Sequence, residues 1–182
     1  MTPIHLRNLP GLPETFDHIS FIKNLCVWVK PENYLEIGVR DGKCLREVAD
    51  HCSVCHAVDL KFDRRDFGSN ILYYEMSSDD FFRQNSSKFD FVFIDGDHSK
   101  EQVLKDFKNV ESLVIEEGFV LLHDTSPCWE EFLGPGWCDN AWEAALEIKN
   151  TFNQEWEILT LPFNPGLTIM KKIKISKQLS WK

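Results

Sequence analysis

The feature that most constrains the fold is a regular alternation of short apolar segments with segments whose apolar residues recur at helical spacing. The apolar segments predict strands, at residues 34–39, 55–60, 71–75, 89–94 and 118–123. Helices are predicted between them, at residues 43–50, 63–67, 79–84 and from Ser99 onward. Strands and helices in strict alternation imply right-handed crossovers and a mainly parallel sheet covered on both faces.

Both ends of the alternating region carry further elements. Residues 14–29 show helical spacing of apolar side chains, which Lys30-Pro31 ends, so a leading helix is predicted. Residues 155–160 and 166–170 predict two strands joined by a short Pro-containing connection. The fold class is therefore α/β, a Rossmann-like, doubly wound, mainly parallel seven-stranded sheet with a C-terminal antiparallel hairpin.

The length of 182 residues suits one domain, and no break in composition marks a second. We divide residues 1–182 into a leading helical segment (1–31), a ligand-binding core (32–172) and a basic tail (173–182). A formal charge of −9 disfavours binding to nucleic acid, whose phosphates the surface would repel. No apolar run is long enough to span a membrane and no secretory signal is visible, so a cytoplasmic protein is expected. The sequence does not indicate an oligomeric state.

The segment His51-Cys52-Ser53-Val54-Cys55-His56 contains the spacing used for haem attachment and would suit part of a zinc site. Both alternatives need further features, namely export for haem and a second ligand pair for zinc. Helical spacing before Cys52 and an apolar run after Cys55 favour a helix-to-strand turn with buried thiols.

Polar side chains follow every predicted parallel strand, at the edge where doubly wound sheets bind ligands. The turn from Glu36 to Gly42 brings backbone amides close to a ligand, and Asp59, about 20 residues after Gly38, is placed to bind ribose hydroxyls. These features lead to the hypothesis that the protein binds a nucleoside ligand. Arg40 stands where a dinucleotide-binding motif has its middle glycine, which argues against NAD.

Three segments together resemble the class I S-adenosylmethionine-dependent methyltransferases. They are Leu35-Glu-Ile-Gly-Val-Arg-Asp-Gly42, Phe91-Val-Phe-Ile-Asp-Gly-Asp-His-Ser99 and Gly118-Phe-Val-Leu-Leu-His-Asp-Thr125. Within that superfamily they are similar to methyltransferase family 24, a branch of small-molecule O-methyltransferases. The resemblance covers roughly residues 34–170.

The resemblance implies a role for each matching position. Glu36, Gly38 and the turn to Gly42 would surround the methionine part of S-adenosylmethionine, Asp59 its ribose, and Ser77 and Ser78 its adenine. Arg40 and Asp95 are added as neighbours of these residues. The full predicted cofactor-binding set is Glu36, Gly38, Arg40, Gly42, Asp59, Ser77, Ser78 and Asp95. In metal-dependent relatives the positions of Asp95, His123 and Asp124 bind magnesium, and the position of Asp97 supplies a base.

A cation at this edge also has a physical basis. Asp95 and Asp124 follow neighbouring strands, and two close carboxylates repel each other unless a cation or a shared proton compensates them. Magnesium prefers oxygen ligands, so His123 leaves the metal open, with manganese or iron better suited to an imidazole. Simpler roles are open too: Asp97 as a helix cap, His98 as a solvated turn residue and His123 as a core histidine.

The favoured function is methyl transfer from S-adenosylmethionine to a hydroxyl of a small molecule, such as a phenol or a sugar, assisted by a divalent cation. Asp97 is the candidate base, with His98 as a second catalytic candidate. Trp129 and Trp137, in the Pro-, Gly- and Trp-rich loop of residues 124–139, are candidates to close over an aromatic or sugar face of the acceptor, with simple packing of the loop as the alternative. The alternatives are a nonenzymatic binding protein of the same fold and an NAD-dependent oxidoreductase.

Overall fold

The computed structural model describes residues 17–134, 136–163 and 165–174. The predicted beginning of the leading helix at residues 14–16 and most of the predicted basic tail, residues 175–182, lie outside this part of the chain.

The described residues form one seven-stranded sheet, as the sequence predicts. Its strands are β1 Asn33–Ile37, β2 Val54–Asp59, β3 Ile71–Glu75, β4 Phe89–Ile94, β5 Val114–His123, β6 Trp156–Leu161 and β7 Leu167–Lys172. The strand order is β3-β2-β1-β4-β5-β7-β6. Strands β1 to β5 pair in parallel, whereas β7 is antiparallel to both β5 and β6. The mainly parallel sheet and its closing hairpin are thereby confirmed.

Helices cover both faces of the sheet and bury two cores. They are α1 His18–Val29, α2 Lys43–Val48, α3 Ser78–Gln84, α4 Lys100–Glu111 and α5 Ala141–Thr151. Helices α1 and α2 bury side chains in one core, and α3, α4 and α5 in the other. Strand β4 shows why its sequence is continuously apolar: Val92 and Ile94 enter one core while Phe91 and Phe93 enter the other.

The helix predicted at residues 63–67 is wrong. The chain between β2 and β3 is irregular there, with bends and turns instead of helical hydrogen bonds. Arg64 pairs with Asp66 two residues away, a contact that a helix does not favour because such residues do not face each other. So short a segment also gains too few hydrogen bonds to offset the cost of helix nucleation.

Hydrogen bonds link the start of α4 to α3 and α5. Ser99 caps the helix, as its side chain accepts a hydrogen bond from the Gln102 amide at 3.4 Å. The amide of Ser99 is itself bound by Asp97, so the Gln102 side chain does not return to it and instead contacts α3. The Asn140 side chain accepts from the Lys100 amide at 2.7 Å, which links the first turns of α4 and α5.

The cysteine-rich segment adopts the predicted helix-to-strand turn. A single 3₁₀ turn, Ala49–His51, leads into β2, and Cys52 and Cys55 are both buried free thiols. The Asn70 side chain donates to the carbonyls of Ala49 and Cys52, both at 2.9 Å, which fixes the turn. Whether the segment binds zinc stays a prediction.

Crossing a membrane places requirements on the helices of a protein. None of those within the described ranges combines the length and the apolar character that crossing a bilayer requires.

Candidate active site

A cavity of about 990 Å³ opens at the carboxyl ends of β1 to β5. All of the predicted site residues except Gly42 line its wall. The reason is topological, because the ends of parallel strands meet at one edge of the sheet. Trp129 and Trp137, which the sequence made candidates to close over the acceptor, belong to the loop after β5. Neither side chain lines the cavity.

The turn after β1 depends on its two glycines. Gly38 has φ +85, and a Cβ there would overlap the backbone of Asp95 on the neighbouring strand. Gly42 has φ +71, and its Cβ would overlap the ring of Phe67. Arg40, between them, also has a positive φ of 51, which is uncommon for a residue with a side chain. The turn therefore packs its backbone tightly between β4 and the β2–β3 connection.

Asp59 anchors this turn. Its Oδ2 accepts hydrogen bonds from the amides of Val39, at 2.8 Å, and Arg40, at 2.7 Å. Its Oδ1 accepts one from the amide of Lys61 at 3.1 Å. A carboxylate can accept about four hydrogen bonds, so Asp59 can hold the turn and still accept a bond from a ligand.

Glu36 is a buried carboxyl group, with 1% of its surface exposed. The Tyr34 hydroxyl donates to its Oε2 at 2.6 Å. Burial raises the pKa of Glu36 to about 8, although the bonds from Tyr34, Cys44 and the Leu45 backbone oppose the rise. Near pH 7 this side chain is therefore mostly neutral in the ligand-free protein.

Two carboxylates and two imidazoles meet where β4 and β5 end. His123 Nδ1 lies 2.9 Å from Asp95 Oδ1 and 3.4 Å from Asp124 Oδ1. His98 Nε2 lies 3.0 Å from Asp124 Oδ2 and 3.7 Å from Asp95 Oδ1. Asp124 has φ +60, an unfavourable backbone conformation that places its carboxylate in this group. The predicted metal-binding residues Asp95, His123 and Asp124 therefore lie together, and His98 joins them.

The imidazoles compensate the carboxylates. Hydrogen bonds to Asp124 and Asp95 raise the pKa of His98 to about 11. Burial alone would lower the pKa of His123, but the charge of Asp95 and the bonds to both carboxylates raise it to about 10. Burial likewise opposes the ionisation of Asp95 and Asp124, yet the two histidines hold both carboxyl pKa values below their usual range.

The same cluster has a donor set that fits a divalent cation. One atom each of Asp95, His98 and Asp124 can be chosen within 4.8 Å of one another. His98 Nδ1 contacts the Trp137 carbonyl, so its Nε2 faces the carboxylates, as in metal-binding histidines whose second nitrogen is held by a backbone carbonyl. His123 is placed differently, because its Nδ1 is bound to Asp95 while its Nε2 is buried without a hydrogen-bond partner.

Asp97 lies beside this cluster and is more exposed. Its Oδ1 accepts the Ser99 amide at 2.7 Å, which satisfies a donor at the start of α4. Hydrogen bonds from Ser99 lower the pKa of Asp97. Asp97 therefore has the helix-cap role that the sequence left open. If it also acts as a base, the same carboxylate must perform both roles.

Two site features escaped the sequence analysis. His18, at the start of α1, lines the cavity, and its ring centroid lies 4.0 Å from that of His123. Burial and the charge of His123 lower its pKa to about 4, so it is neutral. Cys138 donates to Asp124 Oδ1 at 3.5 Å. A polar residue on the otherwise apolar face of α1 was the available signal for His18, but nothing local indicated which site it would join.

A family model described as a methyltransferase domain, methyltransferase family 24, matches residues 35–125. This range is half of the chain and runs from β1 to the residue after Asp124, so it contains all three segments on which the resemblance rests. The chain belongs to this methyltransferase family. A search of curated proteins finds no match.

Solved structures of methyltransferases share the fold. A proposed caffeoyl-CoA O-methyltransferase from Staphylococcus aureus is 17% identical with a TM-score of 0.66, and the alignment covers 85% of this chain and 82% of that one. The O-methyltransferase TomG from Streptomyces achromogenes, solved with S-adenosylmethionine, is 12% identical with a TM-score of 0.65 over 86% and 79% of the two chains. Methyltransferase PaMTH1 from Podospora anserina, solved with S-adenosylhomocysteine, is 14% identical with a TM-score of 0.65 over 86% and 78%. At these identities the similarity establishes the fold of this methyltransferase and not its substrate.

Proposed function

We propose that this methyltransferase transfers a methyl group from S-adenosylmethionine to a hydroxyl oxygen of a small molecule. The observation that carries the choice of donor is the charge of the cavity wall. Nine carboxyl side chains line the cavity: Glu36, Asp41, Asp59, Asp63, Asp79, Asp95, Asp97, Asp106 and Asp124. Glu36 is mostly neutral, but the other eight still outnumber the four cations of the wall, which are Arg40, Lys43 and the protonated His98 and His123. Such a wall attracts a sulfonium cation and repels the pyrophosphate of NAD.

In this proposal the core of residues 32–172 binds the donor along the strand ends, within a single domain. The turn of Gly38, Arg40 and Gly42 takes the methionine part, next to Glu36 and Asp95. Asp59 accepts from the ribose hydroxyls with capacity left over from its bonds to the turn. Ser77 and Ser78, at the end of β3, lie beside the base.

The bound donor supplies a methyl group on a positively charged sulfur, which an acceptor oxygen attacks in line. The chain must then hold the acceptor in line with that methyl group and remove the proton of its hydroxyl. Asp97 is the proposed base. His98 is the second candidate, and it would serve only in a metal-free reaction and only after losing the proton that Asp95 and Asp124 stabilise on it. The acceptor would enter between this cluster and His18 on α1.

We further propose that Asp95, His98 and Asp124 hold a divalent cation, with His123 beside them. When bound, the cation would lower the pKa of a coordinated hydroxyl and stabilise the resulting oxyanion. A donor set of two carboxylates and an imidazole suits manganese or iron better than magnesium, which prefers oxygen ligands throughout. His98 and His123 would have to release protons for the cation to bind, because both imidazoles otherwise carry the compensating charge.

The acceptor class is a small phenol or sugar. The loop after β5 reaches the site through the backbone of Trp137, whose carbonyl contacts His98, while the Trp137 side chain is 58% exposed. An aromatic or sugar ring could pack against such a side chain. The absence of nucleic-acid binding and the cytoplasmic location remain predictions from composition.

Calorimetric titration of the purified protein tests the choice of donor. We expect S-adenosylhomocysteine to bind and NAD to show no heat of binding under the same conditions. Methyl transfer from labelled S-adenosylmethionine to a panel of phenols and sugars, with magnesium or manganese, then tests the acceptor class. Tight NAD binding without S-adenosylhomocysteine binding contradicts the proposal, and binding without transfer to any hydroxyl favours the nonenzymatic alternative.

A further inference from the structure

A hydrogen-bonded group of three side chains lines the cavity away from the Asp95 cluster. Ser78 begins α3, and Gln102 and Asp106 lie one turn apart on α4. Gln102 Nε2 donates to Ser78 Oγ at 3.2 Å and to Asp106 Oδ1 at 3.0 Å. All three residues line the cavity, and the catalytic proposal uses neither Gln102 nor Asp106.

Asp106 is an unusual residue for a helix, since only 1% of its surface is exposed. No ion pair involves it within the described part of the chain. Burial raises its pKa to about 6, although bonds from Ser78 and Gln102 oppose the rise. A buried carboxylate without a cationic partner is costly, so it gains from any additional N–H donor that reaches it.

The group presents acceptors to the cavity. A glutamine amide has two N–H donors, and those of Gln102 point at Ser78 and Asp106, which leaves its carbonyl oxygen for a ligand. Asp79, the next residue of α3, also lines the cavity and has a buried Oδ1 without a hydrogen-bond partner. A ligand group that fits this wall must donate hydrogen bonds.

The position of the wall identifies which part of the donor reaches it. Asp59 ends β2 where the ribose is proposed to bind, and Asp95 ends β4 where the methyl group is proposed to react. The wall lies between the end of β3 and α4, which leaves it for the base.

We propose that Asp106 and Gln102 recognise the exocyclic amino group of the purine, and that Asp106 determines specificity for adenine over hypoxanthine. This inference rests on the proposed methyl donor. Hypoxanthine carries a carbonyl oxygen in place of the amino group. That oxygen would face the side-chain oxygens of Asp106 and Gln102, and neither side could donate a hydrogen bond. A site built to receive an N–H donor rejects an analogue that lacks it, because its own buried groups then lose their partner.

The test compares S-adenosylhomocysteine with its deaminated analogue, S-inosylhomocysteine, by calorimetric titration of the full chain. Wild-type protein should prefer the adenine ligand by about 10-fold or more. Asp106→Asn has nearly the same shape but can donate to the hypoxanthine carbonyl, so the preference should fall to within about 3-fold. Glu101→Gln, an exposed carboxyl change five residues earlier on α4, should keep the wild-type preference.

The ratio of the two affinities within one preparation does not depend on the fraction of folded protein, so partial unfolding of Asp106→Asn does not mimic the effect. Gln102→Ala gives a second reading and should also reduce the preference. An unchanged preference in Asp106→Asn, or equal binding of both ligands by wild-type protein, overturns this inference and leaves the methyl donor intact. Failure of wild-type protein to bind either ligand overturns the methyl donor itself, and the inference with it.

Discussion

His98 Nε2 lies 3.0 Å from Asp124 Oδ2, at the end of β5, although His98 itself follows β4. The same nitrogen is 3.7 Å from Asp95 Oδ1, so one imidazole bridges the two carboxylates. Whatever compensates these charges, a proton on the ring or a metal ion, must lie at the junction of the two strands. We propose that the cation binds at this junction and that methyl transfer takes place beside it, so the junction is the centre of the proposed site.

The first prediction concerns Asp59. Asp59→Ala should weaken S-adenosylhomocysteine binding by about 1 to 3 kcal/mol, because it removes a charged acceptor from the ribose and two bonds from the glycine turn. Calorimetry measures the change. Asp50→Ala, an exposed change outside the cavity, is the matched control and should bind as wild type does. Unchanged affinity in Asp59→Ala would remove Asp59 from the binding site.

The second prediction is a pH dependence of stability that arises from Glu36. Its folded pKa of about 8 lies above its reference value of 4.5, so the folded state binds the proton more tightly than the unfolded state. This contribution to stability is complete below about pH 4.5 and is lost as pH rises towards 8. Glu36→Gln should therefore gain stability relative to wild type over this interval, by up to about 1.4 kcal/mol per pH unit.

Urea unfolding of wild type and Glu36→Gln at pH 5, 6.5 and 8 measures this difference. Glutamine keeps an acceptor for the Tyr34 hydroxyl, so the comparison isolates the ionisation. Glu101→Gln, which changes an exposed carboxyl group, should follow wild type at each pH. Parallel curves for Glu36→Gln and wild type would mean that Glu36 ionises normally.

The third prediction concerns the buried thiols. Purified protein should contain no stoichiometric zinc that is lost in the double variant Cys52→Ser, Cys55→Ser, because the fold of this turn rests on Asn70 and on β2 instead. Elemental analysis of both proteins checks it. Zinc that disappears in the double variant, together with loss of the folded state, would establish a structural metal site here.

The sequence was sufficient for the sheet and for most of the cavity wall. Polar residues at strand ends stand out against apolar strands, and parallel pairing brings those ends together, so Glu36, Asp59, Asp95 and Asp124 could be predicted without knowing any distance. The helix predicted at residues 63–67 failed because so short a segment gains too few hydrogen bonds to offset the cost of nucleation, and the Phe62 side chain before it is buried in the core of α1 and α2.

The details of the site could not be predicted for a different reason. The choice between His98 and His123 as the third ligand of the proposed cation depends on the positive φ of Asp124 and on the Trp137 carbonyl behind His98. Neither feature leaves a local pattern in the sequence. Asp106 resembles any polar residue of an amphipathic helix, and only the packing of α4 against α3 shows that it lines the cavity.

The fourth prediction is that turnover requires a divalent cation held by Asp95 and Asp124. Chelation should stop methyl transfer, and Asp95→Asn and Asp124→Asn should each abolish both manganese binding and activity, because each removes a charged ligand. His98→Ala should weaken manganese binding by about 10-fold or more, whereas His123→Ala should weaken it less, because His123 Nδ1 is bound to Asp95. Manganese titration by calorimetry measures affinity separately from activity.

Asp97→Asn separates the base from the ligands. Its amide oxygen can still cap α4 through the Ser99 amide, so fold and manganese affinity should be retained. The variant cannot accept the acceptor's proton, and single-turnover methyl transfer should slow by about 10²- to 10⁴-fold. If Asp97→Asn reacts at the wild-type rate in a single turnover, Asp97 is not the base. Full activity in excess chelator would instead require a metal-free reaction, in which the protonated imidazoles alone compensate Asp95 and Asp124.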